Sequence, residues 1–311
     1  MENNLSDKLR RNIFIGVLTI LLASFIYIAI AKRGGDNLSV ANNLKLARVA
    51  EYINESNREL ALFRQAQTVN DKEAIENHLS KSIASARNAE AIDPDNKDII
   101  EYLGRIYVEA SSVSSDALEY AELYYKKLNA LQPHDATADN NLGYILYMKG
   151  EKANNQEEKE SFYNSSLVYY DSALGKEAEM TNALYGKAIT LDKLGKMDES
   201  IEAMGKATLG DPNNQEYSYE LGRMYYNRAI AKSEGSDVVS LENEDIEVAE
   251  ELFKNILSAE PRHANAMYSL AVLYQKTGGA ESAQTLVNSL LEIVKEKDQV
   301  ELIEEQFKDI Y

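Results

Sequence analysis

The side chains best suited to catalysis are few and scattered. Histidine occurs only at His78, His134 and His263, with no pair at the spacing of a metal site, and cysteine is absent, which removes thiol nucleophiles, Cys-ligated metals and disulfides. Asp93-Pro94-Asp95-Asn96-Lys97-Asp98 has the carboxylate density of a calcium loop but lacks the central glycine and the closing glutamate. Neither a phosphate-binding glycine loop nor a serine nucleophile elbow occurs. These residues predict a protein that is not an enzyme and holds no metal or cofactor. The formal net charge is -18, so phosphate backbones and anionic lipid surfaces would be repelled, and no nucleic-acid partner is expected.

The elements behind this surface read as helices. The chain is rich in Ala, Leu, Glu, Lys and Tyr and has 4 prolines and 15 glycines in 311 residues. Residues 13–31, from Ile13 to Ala31, carry no charge and hold twelve Ile, Leu, Val or Phe, flanked by Lys8, Arg10 and Arg11 before and Lys32 and Arg33 after. As a helix the stretch spans roughly 28 Å, close to the ~30 Å hydrocarbon core, and the apolar residues favour insertion by roughly 4 to 7 kcal/mol. Ala29-Ile30-Ala31 offers a cleavage-like site, but the apolar run exceeds a signal-peptide core, so a retained anchor is expected. Flanking charges nearly balance and leave orientation open. A short tail before a long domain fits an array outside the cytoplasmic membrane.

Self-similarity organises the rest. Pro94, Pro133, Pro212 and Pro261 each close an apolar helical stretch. After three of them comes one signature: Leu103-Gly104 with Tyr107, Leu142-Gly143 with Leu146, Leu221-Gly222 with Tyr225. Downstream, a small residue, a large one four later and a small or aliphatic one three later recur as Ala121, Tyr125, Leu128, then Ser166, Tyr170, Ala173, then Ala249, Phe253, Ile256. Thr181 to Asn214 is a copy without insertion, with Ala188 in the glycine slot, Gly195 at the turn, then Ser200, Met204, Ala207 and Pro212. A further copy runs from Ala264 to Leu291. Proline spacings of 39, 79 and 49 place extra residues near Ala110 to Ala117, Gly150 to Ser161 and Lys232 to Asp245, read as loops between paired helices.

This pattern resembles the tetratricopeptide repeat (TPR) family, a 34-residue helix-turn-helix with W-x2-L-G-x2-Y, A-x3-F and a closing proline. The expected fold is all-α: a TPR-like α-solenoid of helical hairpins preceded by a single N-terminal transmembrane helix. The expected organisation is a tail over 1–12, the membrane helix over 13–31 and a linker over 32–40. A degenerate first hairpin over 41–94 follows, with Leu46, Ala50, Ile53, Leu60 and Phe63 on its first helix and Ile83, Ala86 and Ala89 on its second; that first helix could also extend as a dimer seam. The array then runs over 95–294, and a capping helix over 295–311 is N-capped by Asp298, with Ile303, Phe307 and Ile310 on its apolar side.

In such arrays the inner face of the first helices lines a concave groove for partner polypeptides. The resemblance puts Asp98, Glu101, Arg105 and Glu109 there, then Asn140, Tyr144 and Tyr147, then Asn182, Tyr185 and Ile189, then Tyr219, Arg223, Tyr226 and Asn227, and finally Asn265, Tyr268 and Gln275. Tyrosine offers rigid contact area with a polar tip and asparagine bonds an extended backbone. The same slots also pack neighbouring repeats. The basic clamp of chaperone-binding members is missing, since its slots hold Glu101 and Arg105, then Asn140 and Tyr144. The implied function is a membrane-tethered interaction scaffold or assembly factor of an envelope complex, as in secretion, pilus, division or spirochaete flagellar collar machinery, with protein partners and homo-oligomerisation within a larger assembly. A glycan-linked factor and an organelle outer-membrane receptor with a cytoplasmic array remain alternatives.

Overall fold

The computed structural model describes residues 40–233 and 243–310. The tail, the apolar segment 13–31 and the linker through residue 39 lie outside the described residues. Among the described residues there are thirteen α-helices and no strand, and no helix is long and apolar enough to cross a membrane. The chain divides into two compact units, one through Leu131 and one from Gln132.

The first unit holds two antiparallel hairpins: α1 (Val40–Thr68) with α2 (Lys72–Ile92), and α3 (Lys97–Ala110) with α4 (Ala117–Leu131). Leu60, Phe63, Ala86 and Ala89 are buried as expected, whereas Leu46 and Ala50 are exposed and Ile53 and Ile83 half-buried. Where α1 crosses α2 the buried residues are Ser56 and Ser82. Each hydroxyl donates to the other's carbonyl, at 2.8 and 2.9 Å. A small side chain admits the close crossing, and the reciprocal bonds satisfy the hydroxyl groups that burial strips of water. An apolar pattern cannot show such a contact.

The second unit continues with α5 (Ala136–Lys152) and α6 (Gln156–Lys176), α7 (Thr181–Lys193) and α8 (Met197–Gly210), α9 (Gln215–Lys232) and α10 (Glu244–Ala259), and α11 (Ala264–Lys276) and α12 (Ala280–Ile293). It ends in α13 (Lys297–Gln306) and a 3₁₀ turn, Lys308–Ile310. Each proline lies two residues beyond a helix end, where its missing N–H and fixed φ stop propagation. The residue two positions after it caps the next helix. Asn96 accepts from Asp98 N at 3.1 Å, Asp135 from Thr137 N at 2.8 Å, Asn214 from Glu216 N at 3.2 Å and His263 Nδ1 from Ala266 N at 3.1 Å.

Two expectations change. The Gly150 to Ser161 insertion is mostly helix: α5 runs to Lys152 and α6 starts at Gln156 with Asn155 as its cap, so the added residues lengthen both helices. Glu, Lys and Gln flank this short break and sustain helix up to it. Asp298 is not the cap of α13, which opens from Glu296 with Asp298 in its first turn, where its carboxylate still favours the helix dipole. Ile303 and Phe307 are buried against Met267, Ala271, Val287 and Leu290, with Ile310 packed at the edge.

Candidate functional site

In the first unit the groove slots of α3 are charged. Asp98 and Arg105 are exposed, and the Arg105 guanidinium lies 5.7 Å from the Tyr102 ring centre one turn earlier. Glu109 is held by Arg64 of α1 through both carboxylate oxygens, with Arg64 Nε at 2.8 Å. Sequence reasoning passed over Tyr102, which is buried and donates to Ser56 and Asn57 at 3.0 Å.

In the second unit the slots lie on α5, α7, α9 and α11, which side-chain bonds link in series. Tyr217 donates to Asn182 at 3.0 Å, and Tyr219 meets Ser269 at 3.3 Å. The predicted residues fall into two groups. Tyr144 is 40% exposed and Tyr268 38%, and Asn182 and Asn265 are exposed as well. Tyr147, Tyr185, Tyr219 and Tyr226 are half-buried. Tyr147 tilts on Tyr163 at 5.9 Å, Tyr185 stacks on Tyr217 at 5.0 Å and Tyr219 tilts on Phe253 at 5.9 Å, so these rings fill the gaps between helices and leave only part of each for a partner. Burial pushes the Tyr185 phenol up to about 12 and raises Tyr147 and Tyr226 as well. Asn140, Ile189 and Asn227 are half-buried, and Gln275 donates to the Gln306 carbonyl at 3.1 Å, which ties it to α13.

Arg223 is held at 2.8 Å by Asp192 and at 2.7 Å by Glu220. Burial pulls its pKa down, but these carboxylates outweigh it and the net shift is upward. Glu151 accepts from Lys193 at 2.8 Å and from the Tyr163 hydroxyl. Burial raises the Glu151 carboxyl, and the two donors more than offset that, so it is lowered overall. Sequence reasoning missed Glu151, Asp192, Lys193 and Glu220. Glu220 precedes Arg223 by three residues on one helix, a spacing that could have been read. The pairs between helices leave no local signal. Among the described residues no group of three or more acidic or histidine side chains is arranged to hold a metal.

Residues 240–302 match the tetratricopeptide repeat family model. The insertion-free copy at 181–214 lies outside that span. No curated protein matches the chain in sequence. Among solved structures, PilW, described as a widely conserved type IV pilus biogenesis factor, has a TM-score of 0.57 at 18% identity, with 80% of this chain and 97% of that one covered. YrrB, described as a TPR protein with an unusual peptide-binding site, has a TM-score of 0.50 at 19% identity, covering 72% and 97%. PilF of Pseudomonas aeruginosa has a TM-score of 0.51 at 14% identity, covering 69% and 86%. At these identities the likeness is one of fold. Residues 240–302 therefore match the tetratricopeptide repeat family, and the described chain has the all-α fold of tetratricopeptide-repeat proteins.

Proposed function

We propose that this protein is a non-catalytic, membrane-tethered scaffold or assembly factor of a cell-envelope complex that holds partner polypeptides on the first helices of its hairpins. The observation that carries the reading is the set of exposed Tyr144, Asn182, Asn265 and Tyr268 on α5, α7 and α11, a helical surface of aromatic and amide groups. The tether rests on the uncharged stretch Ile13 to Ala31. The structural likeness to a type IV pilus biogenesis factor fits an envelope role, as an analogy of fold.

A photoactivatable residue placed in cells at Tyr144 or Tyr268 should trap a defined partner by mass spectrometry, while the same residue at Leu209, exposed on α8, should not. Equal labelling from all three positions, or none from the first two, sinks the partner-binding role. Removing residues 1–39 should release the protein from the membrane fraction. Retention there would refute the tether.

A further inference from the structure

The candidate face of the second unit contains charge, but that charge is already spent internally. Glu151 on α5 holds Lys193 on α7 at 2.8 Å, Asp192 on α7 holds Arg223 on α9 at 2.8 Å, and Glu220 closes on the same arginine at 2.7 Å. Three acids and two bases leave one formal negative charge in the middle of the face, against -18 for the whole chain. Toward its ends stand Glu216 and Lys276, one of each sign. Asp192 and Glu220 keep only 18% and 15% of their side chains exposed, so their pairing with Arg223 is screened less than a surface contact.

In the middle of the face, between those ends, a ligand carboxylate or ammonium would have to break an existing pair to find a counter-charge, and it would lose its water in doing so. An uncharged segment meets no such cost. Between those ends the groups still on offer are neutral. Tyr144 and Tyr268 present ring area, and Asn182, whose Oδ1 is taken by the Tyr217 hydroxyl at 3.0 Å, keeps its amide N–H groups to donate to a carbonyl. Tyr185 stacks on Tyr217, and Tyr147 and Tyr219 tilt against Tyr163 and Phe253, so part of each ring is already engaged within the fold.

We propose that the middle of the face formed by α5, α7, α9 and α11 selects an uncharged, extended polypeptide segment and rejects charged ones. The proposal rests on the partner-binding reading above. Selectivity comes from the mutual neutralisation of Glu151, Lys193, Asp192, Arg223 and Glu220, which leaves a charged segment no free counter-charge in the middle of the face of a strongly acidic protein.

The test is selection of a random peptide library on the full-length chain in detergent micelles, with neutral oligosaccharides offered in parallel. Selected peptides should carry net charge near zero, bind with an affinity that changes less than about twofold between low and high salt, and weaken about tenfold or more with Tyr144→Ala. The double variant Lys193→Ala/Arg223→Ala leaves Glu151, Asp192 and Glu220 uncompensated. It should select Lys- and Arg-bearing peptides whose affinity falls about tenfold over the same salt range. The wild-type arm stands alone if that variant does not fold. Charged peptides selected by the wild type, strong salt dependence, or indifference to Tyr144→Ala would overturn the proposal while leaving partner binding intact. Oligosaccharides binding in place of peptides, or no peptide selected at all, would overturn both.

Discussion

A methyl group decides how closely these helices pack. A Cβ built on Gly104 would lie 2.7 Å from the Tyr125 ring, one on Gly143 2.8 Å from Tyr170 and one on Gly222 2.9 Å from Phe253. Tyr125, Tyr170 and Phe253 are almost fully buried, so none of them can swing aside. In α7 the slot holds Ala188, and the residue at the matching position of the second helix is Met204, unbranched and adaptable. Gly143→Ala gains up to about 1 kcal/mol of helix propensity but is expected to lose roughly 1 to 3 kcal/mol by overpacking, a net destabilisation measurable by urea unfolding. Combined with Tyr170→Leu, it should cost less than the two changes summed, because the smaller side chain vacates the space the methyl needs. Strict additivity would show that the ring does not set the glycine requirement. Caps are the second device at this scale. Asn214→Ala should cost about 1 kcal/mol by freeing the Glu216 and Tyr217 amides, while Asn214→Asp should be nearly neutral.

At the level of the element, length variation is absorbed in two ways. Between α5 and α6 it becomes helix, and before α10 it ends in a clamp: Asp245, 7% exposed, accepts from Arg228 at 2.9 and 2.6 Å and from Lys232 at 3.3 Å. Asp245→Asn is expected to cost roughly 2 to 3 kcal/mol, less than a fully buried pair because Arg228 stays 18% exposed. The Arg228 hydrogen bond holds the Asp245 carboxyl below the usual carboxylate range. A depressed carboxyl contributes stability that is present above its unfolded pKa of about 4 and fades as pH falls through the folded value. The gap in melting temperature between wild type and variant should therefore close in acid, and a constant gap would mean the carboxylate charge is irrelevant. The helical register, the closing prolines and the Leu-Gly and aromatic slots were all legible, because each rests on spacing within one or two helices. The candidate face was legible only as positions. Whether Tyr147, Tyr185 or Tyr219 meets a partner depends on Tyr163, Tyr217 and Phe253, which arrive from other helices. The pairing of Asp192 with Arg223, and the crossing of Ser56 with Ser82, depend likewise on contacts that no local period encodes.

Over the whole molecule, acidity and tyrosine content combine into one pH dependence. The chain has 20 tyrosines and a net charge of -18. Burial raises the phenols of Tyr102, Tyr107, Tyr124, Tyr125, Tyr147, Tyr163, Tyr170, Tyr185, Tyr226 and Tyr274 above their ordinary value, Tyr185 to about 12. In the unfolded chain the same groups lose their protons near 10. A raised folded pKa means that the stability these groups contribute is fully present below about 10 and drains away as pH climbs toward the folded values, since only the unfolded state releases the protons. Each phenolate formed also adds to an already negative chain, whose self-repulsion favours expansion. The two causes separate by salt. Urea unfolding at high pH should show a midpoint well below that at neutral pH, and added salt should restore the repulsive share but not the share due to burying a phenol that cannot ionise in place. Phenolate absorbance should rise together with the loss of helical circular dichroism, because the buried tyrosines titrate by unfolding. If they ionise reversibly with the helices intact, or if salt restores the midpoint completely, the burial term is absent and self-repulsion alone accounts for alkaline loss of the fold.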